Sequence, residues 1–198
     1  MQKFTVGKDS TEKIIAECIR VLENHGVILL PTETVYGLVC RFEDTVAEEK
    51  IYQLKHRPSE KRLSVFVDKP ETLESYGVKF SPLVRQLAAE YCPGAITIIA
   101  ARNQSSSLGF RIPAHDFVLE LLKKSPFPLS STSANRSGMP NVLSVNEALA
   151  ELDGEVDIVI DGGEISPDAQ ASTVVDARGE KAVILRQGEL IINNKFIS

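Results

Sequence analysis

The chain has no tryptophan, and aromatic residues make up only 6% of its 198 positions. Reading bases by stacking needs exposed rings, so this scarcity argues against a base-stacking nucleic-acid binder. Positive charge is also short: 22 Lys and Arg face 27 Asp and Glu, a net charge of −5. A general binder of nucleic-acid backbones carries the opposite balance, although a local basic patch remains compatible with these numbers. Cysteine is scarce, with Cys18, Cys40 and Cys92 far apart and no CxxC pair. That excludes a disulfide framework and fits a reducing, cytoplasmic setting. Cys18 falls on an apolar helical stripe and Cys40 beside a strand, so both read as small core residues. The longest apolar runs, such as "AITIIAA", are too short to span a bilayer, and "MQKFTVGKDS" lacks the apolar centre of a signal peptide. No membrane attachment is expected.

The usual catalytic signatures are missing too. Neither GxxxxGK[ST] nor GxGxxG occurs, so the common phosphate-cradling loops are absent. There is no HExxH and no Cys/His cluster, since His25, His56 and His115 are widely spaced. A protein-held metal site is therefore not expected. No GxSxG elbow marks a nucleophile.

What is present reads as one α/β domain over 1–198, with 43% apolar and 25% charged residues. Apolar spacing predicts helices in "DSTEKIIAECIRVLENHG", "TVAEEKIYQLKH", "SPLVRQLAAEY", "DFVLELLKK" and "SVNEALAELDG". Between and after them lie strand-like runs: "VILLP", "GLVCRF", "LSVFV", "AITIIAA", "FRIP", "FPLSSTS", "VDIVIDGG", "STVVDA" and "AVILRQG". The tail "ELIINNKFIS" suggests a short closing helix. The alternation implies a twisted mixed sheet with flanking helices. Ligands of such sheets bind where loops leave strand ends, which points to 31–37, 55–62, 102–113 and 131–141. The polar stretch "RNQSSSLG" reads as a loop and a candidate lid.

Those loops collect cations and hydroxyls. Lys55, Arg57, Lys61 and Arg62 put four positive charges into eight residues, just before the apolar "LSVFV". An extended backbone at "KHRP" would point Lys55 and Arg57 to the same side. Such a rim suits a carboxylate or phosphate, and it equally suits a solvated helix C-terminus. "SSTSAN" can cradle phosphate or form an ordinary turn. Arg111 inside "GFRIP" needs a partner or a cleft. Arg186 ends a strand in "ILRQG". One convergent anion site accounts for these features together.

Taken in order, "PTETVYGL", "KHRPSEKRL", "PGAITI", "FRIP", "STSANRSGMPN", "STVVD" and "ILRQG" resemble the threonylcarbamoyl-AMP synthase (TsaC/YrdC) family over about residues 10–190. The resemblance implies an α/β twisted mixed sheet with flanking helices around a large, positively lined cavity, in the single-domain type. It implies synthesis of threonylcarbamoyl-AMP and pyrophosphate from L-threonine, bicarbonate (or CO2) and ATP, for t6A modification of tRNA. Mg2+ would be bound mainly through ATP phosphates. Partners would be these substrates, other t6A-pathway proteins and, in an alternative reading, RNA or tRNA directly.

Carried over by motif, Lys55 and Arg57 are the K-x-R element and Ser133 and Asn135 the S-x-N element, implied as catalytic. Arg57, Lys61, Ser107, Ser133, Asn141 and Arg186 would surround ATP. Thr34, Phe66, Arg111, Ser131 and Ser172 would face L-threonine. Two departures stand out: Arg62 replaces a proline usual in the family, and Phe66 replaces a histidine. Phe66 leaves open a paralogous carbamoyl-adenylate enzyme with another acceptor. An RNA-binding or regulatory module is the remaining alternative.

Overall fold

Apolar residues three and four apart build the first helix, α1 (Thr11–Glu23), whose Ile14, Ile15, Cys18 and Leu22 are buried. Just past its end His25 turns left-handed at φ 59°, and Gly26 packs so closely that a Cβ there would lie 2.2 Å from Val21 Cγ1. The computed structural model describes residues 1–103 and 106–197. Side-chain caps start three further helices. Asp44 accepts from Ala47 N in α2 (Thr45–Leu54), Ser81 from Val84 N in α3 (Pro82–Tyr91), and Ser144 from Glu147 N in α5 (Val145–Glu151). The remaining helix, α4 (Asp116–Lys124), buries Phe117, Val118, Leu121 and Leu122. The short closing helix expected in the tail is a single 3₁₀ turn at Asn194–Phe196.

Eleven strands form one sheet. In chain order they are β1 (Gln2–Thr5), β2 (Ile28–Leu30), β3 (Gly37–Arg41), β4 (Ser64–Phe66), β5 (Val78–Lys79), β6 (Ile96–Arg102), β7 (Ser106–Arg111), β8 (Leu129–Ser133), β9 (Ile158–Asp161), β10 (Thr173–Asp176) and β11 (Val183–Arg186). Their spatial order is β1-β9-β2-β3-β8-β4-β7-β6-β10-β11, with β5 also paired to β6. Pairings are mixed: β2–β9 and β4–β7 are parallel, while β3–β8 and β6–β7 are antiparallel.

Alternation along the strands sorts the core into layers. Ile28, Leu30, Val39, Ile158 and Ile160 pack with α1 and α4. Their neighbours Leu29, Leu38, Cys40 and Val159 pack with α2 and α5 on the other face. Further along the sheet, Ile96, Ile98, Phe110 and Val175 pack with α3. The intervening Thr97, Ile99, Gly109, Arg111 and Val174 line a cavity instead. The twisted mixed sheet with flanking helices is therefore present as the sequence suggests.

Two local expectations are corrected. "RNQSSSLG" is mostly strand: Ser106 and Ser107 pair with Arg102 and Ala101, and Ser106 Oγ donates to Arg102 O at 2.6 Å. What remains of the proposed lid, Gln104 and Ser105, lies outside the described residues. The backbone at "KHRP" is not extended either. Lys55 caps α2 in helical geometry, and His56 turns left-handed at φ 48°. Strand alternation therefore does not apply, and Lys55 and Arg57 part company.

Candidate functional site

Seven strands, β3, β4, β6, β7, β8, β10 and β11, contribute residues to a cavity of about 390 Å³. Arg57, Arg62, Arg111 and Arg186 line it, and no Asp or Glu does among the described residues. In a chain of net charge −5, this is local reversal of sign. Hydroxyls fill much of the rest, held in pairs at 2.9 Å: Thr32 with Thr34, Ser64 with Ser131, and Thr97 with Ser172. A hydroxyl both donates and accepts, so each pair keeps hydrogen-bonding capacity for a ligand.

The four guanidiniums are held differently. Arg57 is half-buried; its Nε donates to Lys61 O at 2.8 Å and its Nη2 to Arg62 O at 3.0 Å. The charged group thereby shapes the 57–62 loop. Arg186 donates through Nε and Nη2 to Ser172 O at 3.2 and 2.8 Å. Gly188 makes that approach possible, since a Cβ there would sit 2.0 Å from Ala171 O. Arg62 reaches across to Ser107 O at 3.3 Å. All three bind neutral carbonyls. Among the described residues only Arg111 of the four has a carboxylate partner: its Nη2 lies 2.8 Å from Glu33 Oε1 and 3.0 Å from Thr34 Oγ1, and its Nε donates to Gly94 O at 3.2 Å. At 5% exposure Arg111 is buried, so this pairing offsets an otherwise severe desolvation cost. The Phe66 ring lies 5.9 Å from the Arg111 guanidinium carbon and is its cross-strand neighbour.

Of the residues singled out in the sequence, Thr34, Arg57, Phe66, Ser107, Arg111, Ser131, Ser133, Ser172 and Arg186 converge on this cavity. Lys55 stands behind it. It is 1% exposed, and its Nζ donates to the carbonyls of Ser133 and Asn135. Burial, aided by the Arg57 charge, pulls its ammonium down to about 7. Asn135 is buried as well, donating Nδ2 to Met139 O at 2.6 Å and Arg136 O at 3.0 Å. Lys55 and Asn135 thus brace the turn that carries Ser133. Lys61 and Asn141 are exposed and outside the lining.

Sequence reading did not single out Thr32, Ser64 or Thr97 as site residues, nor Glu33 beside Arg111. Signals existed: Thr97 is the only hydroxyl in "AITIIAA", and Ser64 is two residues from Phe66 on the same strand face. Arg62 was visible in the basic cluster without a role.

The cavity-lining motifs coincide with a family match. The Sua5/YciO/YrdC family model, described as telomere recombination, matches residues 20–188. A Bacillus subtilis threonylcarbamoyl-AMP synthase is 31% identical over 184 residues, covering 88% of this chain and 53% of that protein. The structure of Pyrococcus abyssi Sua5 complexed with L-threonine superposes with a TM-score of 0.85 at 28% identity, over 95% of this chain and 58% of that one. Escherichia coli YciO shares the fold with a TM-score of 0.80, at 23% identity and 94% coverage of both chains. The chain spans about half the length of the Bacillus subtilis and Pyrococcus abyssi curated relatives, at 53% and 51%. The model match spans most of the chain, and it contains every motif that lines the cavity: the chain belongs to the Sua5/YciO/YrdC family.

Proposed function

We propose that this chain is a threonylcarbamoyl-AMP synthase, a nucleotidyltransferase that joins L-threonine, CO2 from bicarbonate and ATP. The observation that carries this reading is the split in charge partners around one cavity. Arg57, Arg62 and Arg186 bond only neutral oxygens among the described residues, carbonyls and the Ser172 hydroxyl, leaving their charge available to a polyphosphate. Arg111 is already neutralised by Glu33, which suits the carboxylate end of a zwitterion better than a polyanion. Threonine bound in the Pyrococcus abyssi Sua5 complex supports the choice of acceptor.

In this reading the threonine amine attacks CO2, forming a carbamate and releasing a proton. A carbamate oxygen then attacks the α-phosphorus of ATP, and pyrophosphate leaves. No covalent enzyme intermediate is needed; the work is positioning and neutralisation. Arg57 and Arg186 hold phosphates, Ser107 and Ser133 add hydrogen bonds, and Lys61 and Asn141 join by swinging inward. Lys55 and Asn135 act on the reaction through the Ser133 turn. Thr34, Ser131 and Ser172 surround the amino acid. The lining supplies hydroxyls and no carboxylate, so Mg2+ would take its ligands from phosphates and water. The product would feed t6A formation on tRNA in the cytoplasm, alongside other proteins of that route.

Phe66 favours a second reading, the same chemistry on another acceptor. Its ring offers apolar surface and no hydrogen bond where selection of a hydroxyl would want one. Pyrophosphate release from MgATP and bicarbonate, measured with each amino acid singly and with product mass determined, tests both. Release that requires threonine, with a threonylcarbamoyl-AMP mass, is expected. Release only with another amino acid would replace threonine, and none with any amino acid on folded protein would overturn the synthase.

A further inference from the structure

We propose that Glu33 is a positioning residue that aims Arg111 at the acceptor's carboxylate. The inference rests on the amino-acid reading of that end of the cavity. Glu33 lies in "PTETVYGL" but does not line the cavity, so it does not meet the substrate directly. Its Oε1 accepts twice, from Arg111 Nη2 at 2.8 Å and from Ala114 N at 2.8 Å. One oxygen thus ties the guanidinium to the chain that follows β7.

The consequence is a guanidinium with most of its donors committed. Arg111 Nε is spent on Gly94 O and Nη2 on Glu33 and Thr34, while the Phe66 ring packs near the group. Among the described residues Nη1 has no protein partner, and Arg111 lines the cavity. A planar guanidinium held at three points cannot rotate, so its free edge is fixed in direction before a ligand arrives. Thr34, which also bonds Arg111, is attached to Glu33 in sequence and brings its hydroxyl to the same place. The opposite possibility is that Glu33 competes with the ligand for Arg111. The two make opposite statements about affinity.

Equilibrium binding of threonine in the presence of a non-hydrolysable ATP analogue, together with steady-state kinetics, distinguishes them. Glu33→Ala is expected to raise the Kd and KM for the acceptor about tenfold or more, with the KM for ATP nearly unchanged. Glu33→Gln, whose amide oxygen can still accept both N–H groups, is expected to restore most of the affinity. Unchanged or tighter acceptor binding in Glu33→Ala would overturn the proposal, as would equal losses in the Ala and Gln variants. Should Glu33→Ala fail to fold, Glu33→Asp serves instead: its shorter carboxylate cannot reach both donors, and wild-type affinity would overturn the claim. The side-chain Nε–H NMR signal of Arg111 reads positioning independently of activity. It should be ordered in wild type and Glu33→Gln and averaged in Glu33→Ala or Glu33→Asp; equal order in all would refute positioning. If wild type turns over no amino acid, the synthase reading fails while this signal still decides the role of Glu33.

Discussion

Lys55 illustrates how far a residue can be read from sequence. Its membership of a K-x-R element was visible, and its direction was not. Helical geometry at Lys55 and a left-handed His56 turn the amine inward, to the Ser133 and Asn135 carbonyls. Local sequence does not announce where a helix stops to within one residue. The buried amine has a pH signature. Its value falls to about 7 in the folded chain from 10.5, so between these limits the unfolded chain binds more protons. Stability should therefore rise as pH increases from about 7 and be lost as pH falls back through that value. Urea midpoints between about pH 7 and 8, below the ordinary cysteine value of about 8.5, should climb more steeply in wild type than in Lys55→Met. A matching slope in both would assign the effect elsewhere. Arg62 gives a second residue-scale expectation. It lines the cavity with one bond of 3.3 Å to Ser107 O, leaving it free to turn to a phosphate. Arg62→Ala should raise the KM for ATP several-fold and leave that for the amino acid nearly unchanged; unaltered ATP kinetics would remove Arg62 from the site.

At the scale of elements, helices were the legible part. The stripe Ile14, Ile15, Cys18, Leu22 and the caps Asp44 and Ser144 are local signals, and the corresponding helices form. Elements stabilised from far away were harder. β1 has the unremarkable sequence "QKFT" and exists because it pairs with β9, more than 150 residues on, Gln2 opposite Ile158. β5 is two residues long and is defined by Arg102 and Ala101 of β6. "SSSLG" looks like a loop by composition, yet pairing in the β6–β7 hairpin overrides that weak preference. The β10–β11 unit carries a testable contact. Gly188 donates its N–H to Thr173 Oγ1 at 3.0 Å and presses against Ala171 and Ser172. Gly188→Ala should displace that segment, destabilise the fold by about 1–3 kcal/mol and weaken ATP binding through Arg186. Thermal denaturation and ATP titration would show this; a neutral substitution would contradict the close approach.

Across the whole molecule, one sheet joins three apolar layers, and among the described residues no strand group stands apart from it. Urea unfolding should accordingly follow one cooperative transition by circular dichroism and tyrosine fluorescence alike, and non-coincident curves would speak against a single unit. The acidic exterior with an arginine-lined interior follows the same logic. Negative charge is spread over the surface, and the cations that matter are gathered by strands distant in sequence. That gathering was legible in part from cations and hydroxyls recurring at several strand ends, and in full only from several motifs resembling one family together; composition alone left each cation with a bland explanation. The central claim is that one cavity holds a nucleotide and an amino acid side by side. A crystal structure of the protein soaked with a non-hydrolysable ATP analogue and L-threonine tests it directly. The expected result is phosphate density against Arg57 and Arg186, with an amino-acid carboxylate on Arg111. An empty cavity, or ligands bound elsewhere on the chain, would contradict it.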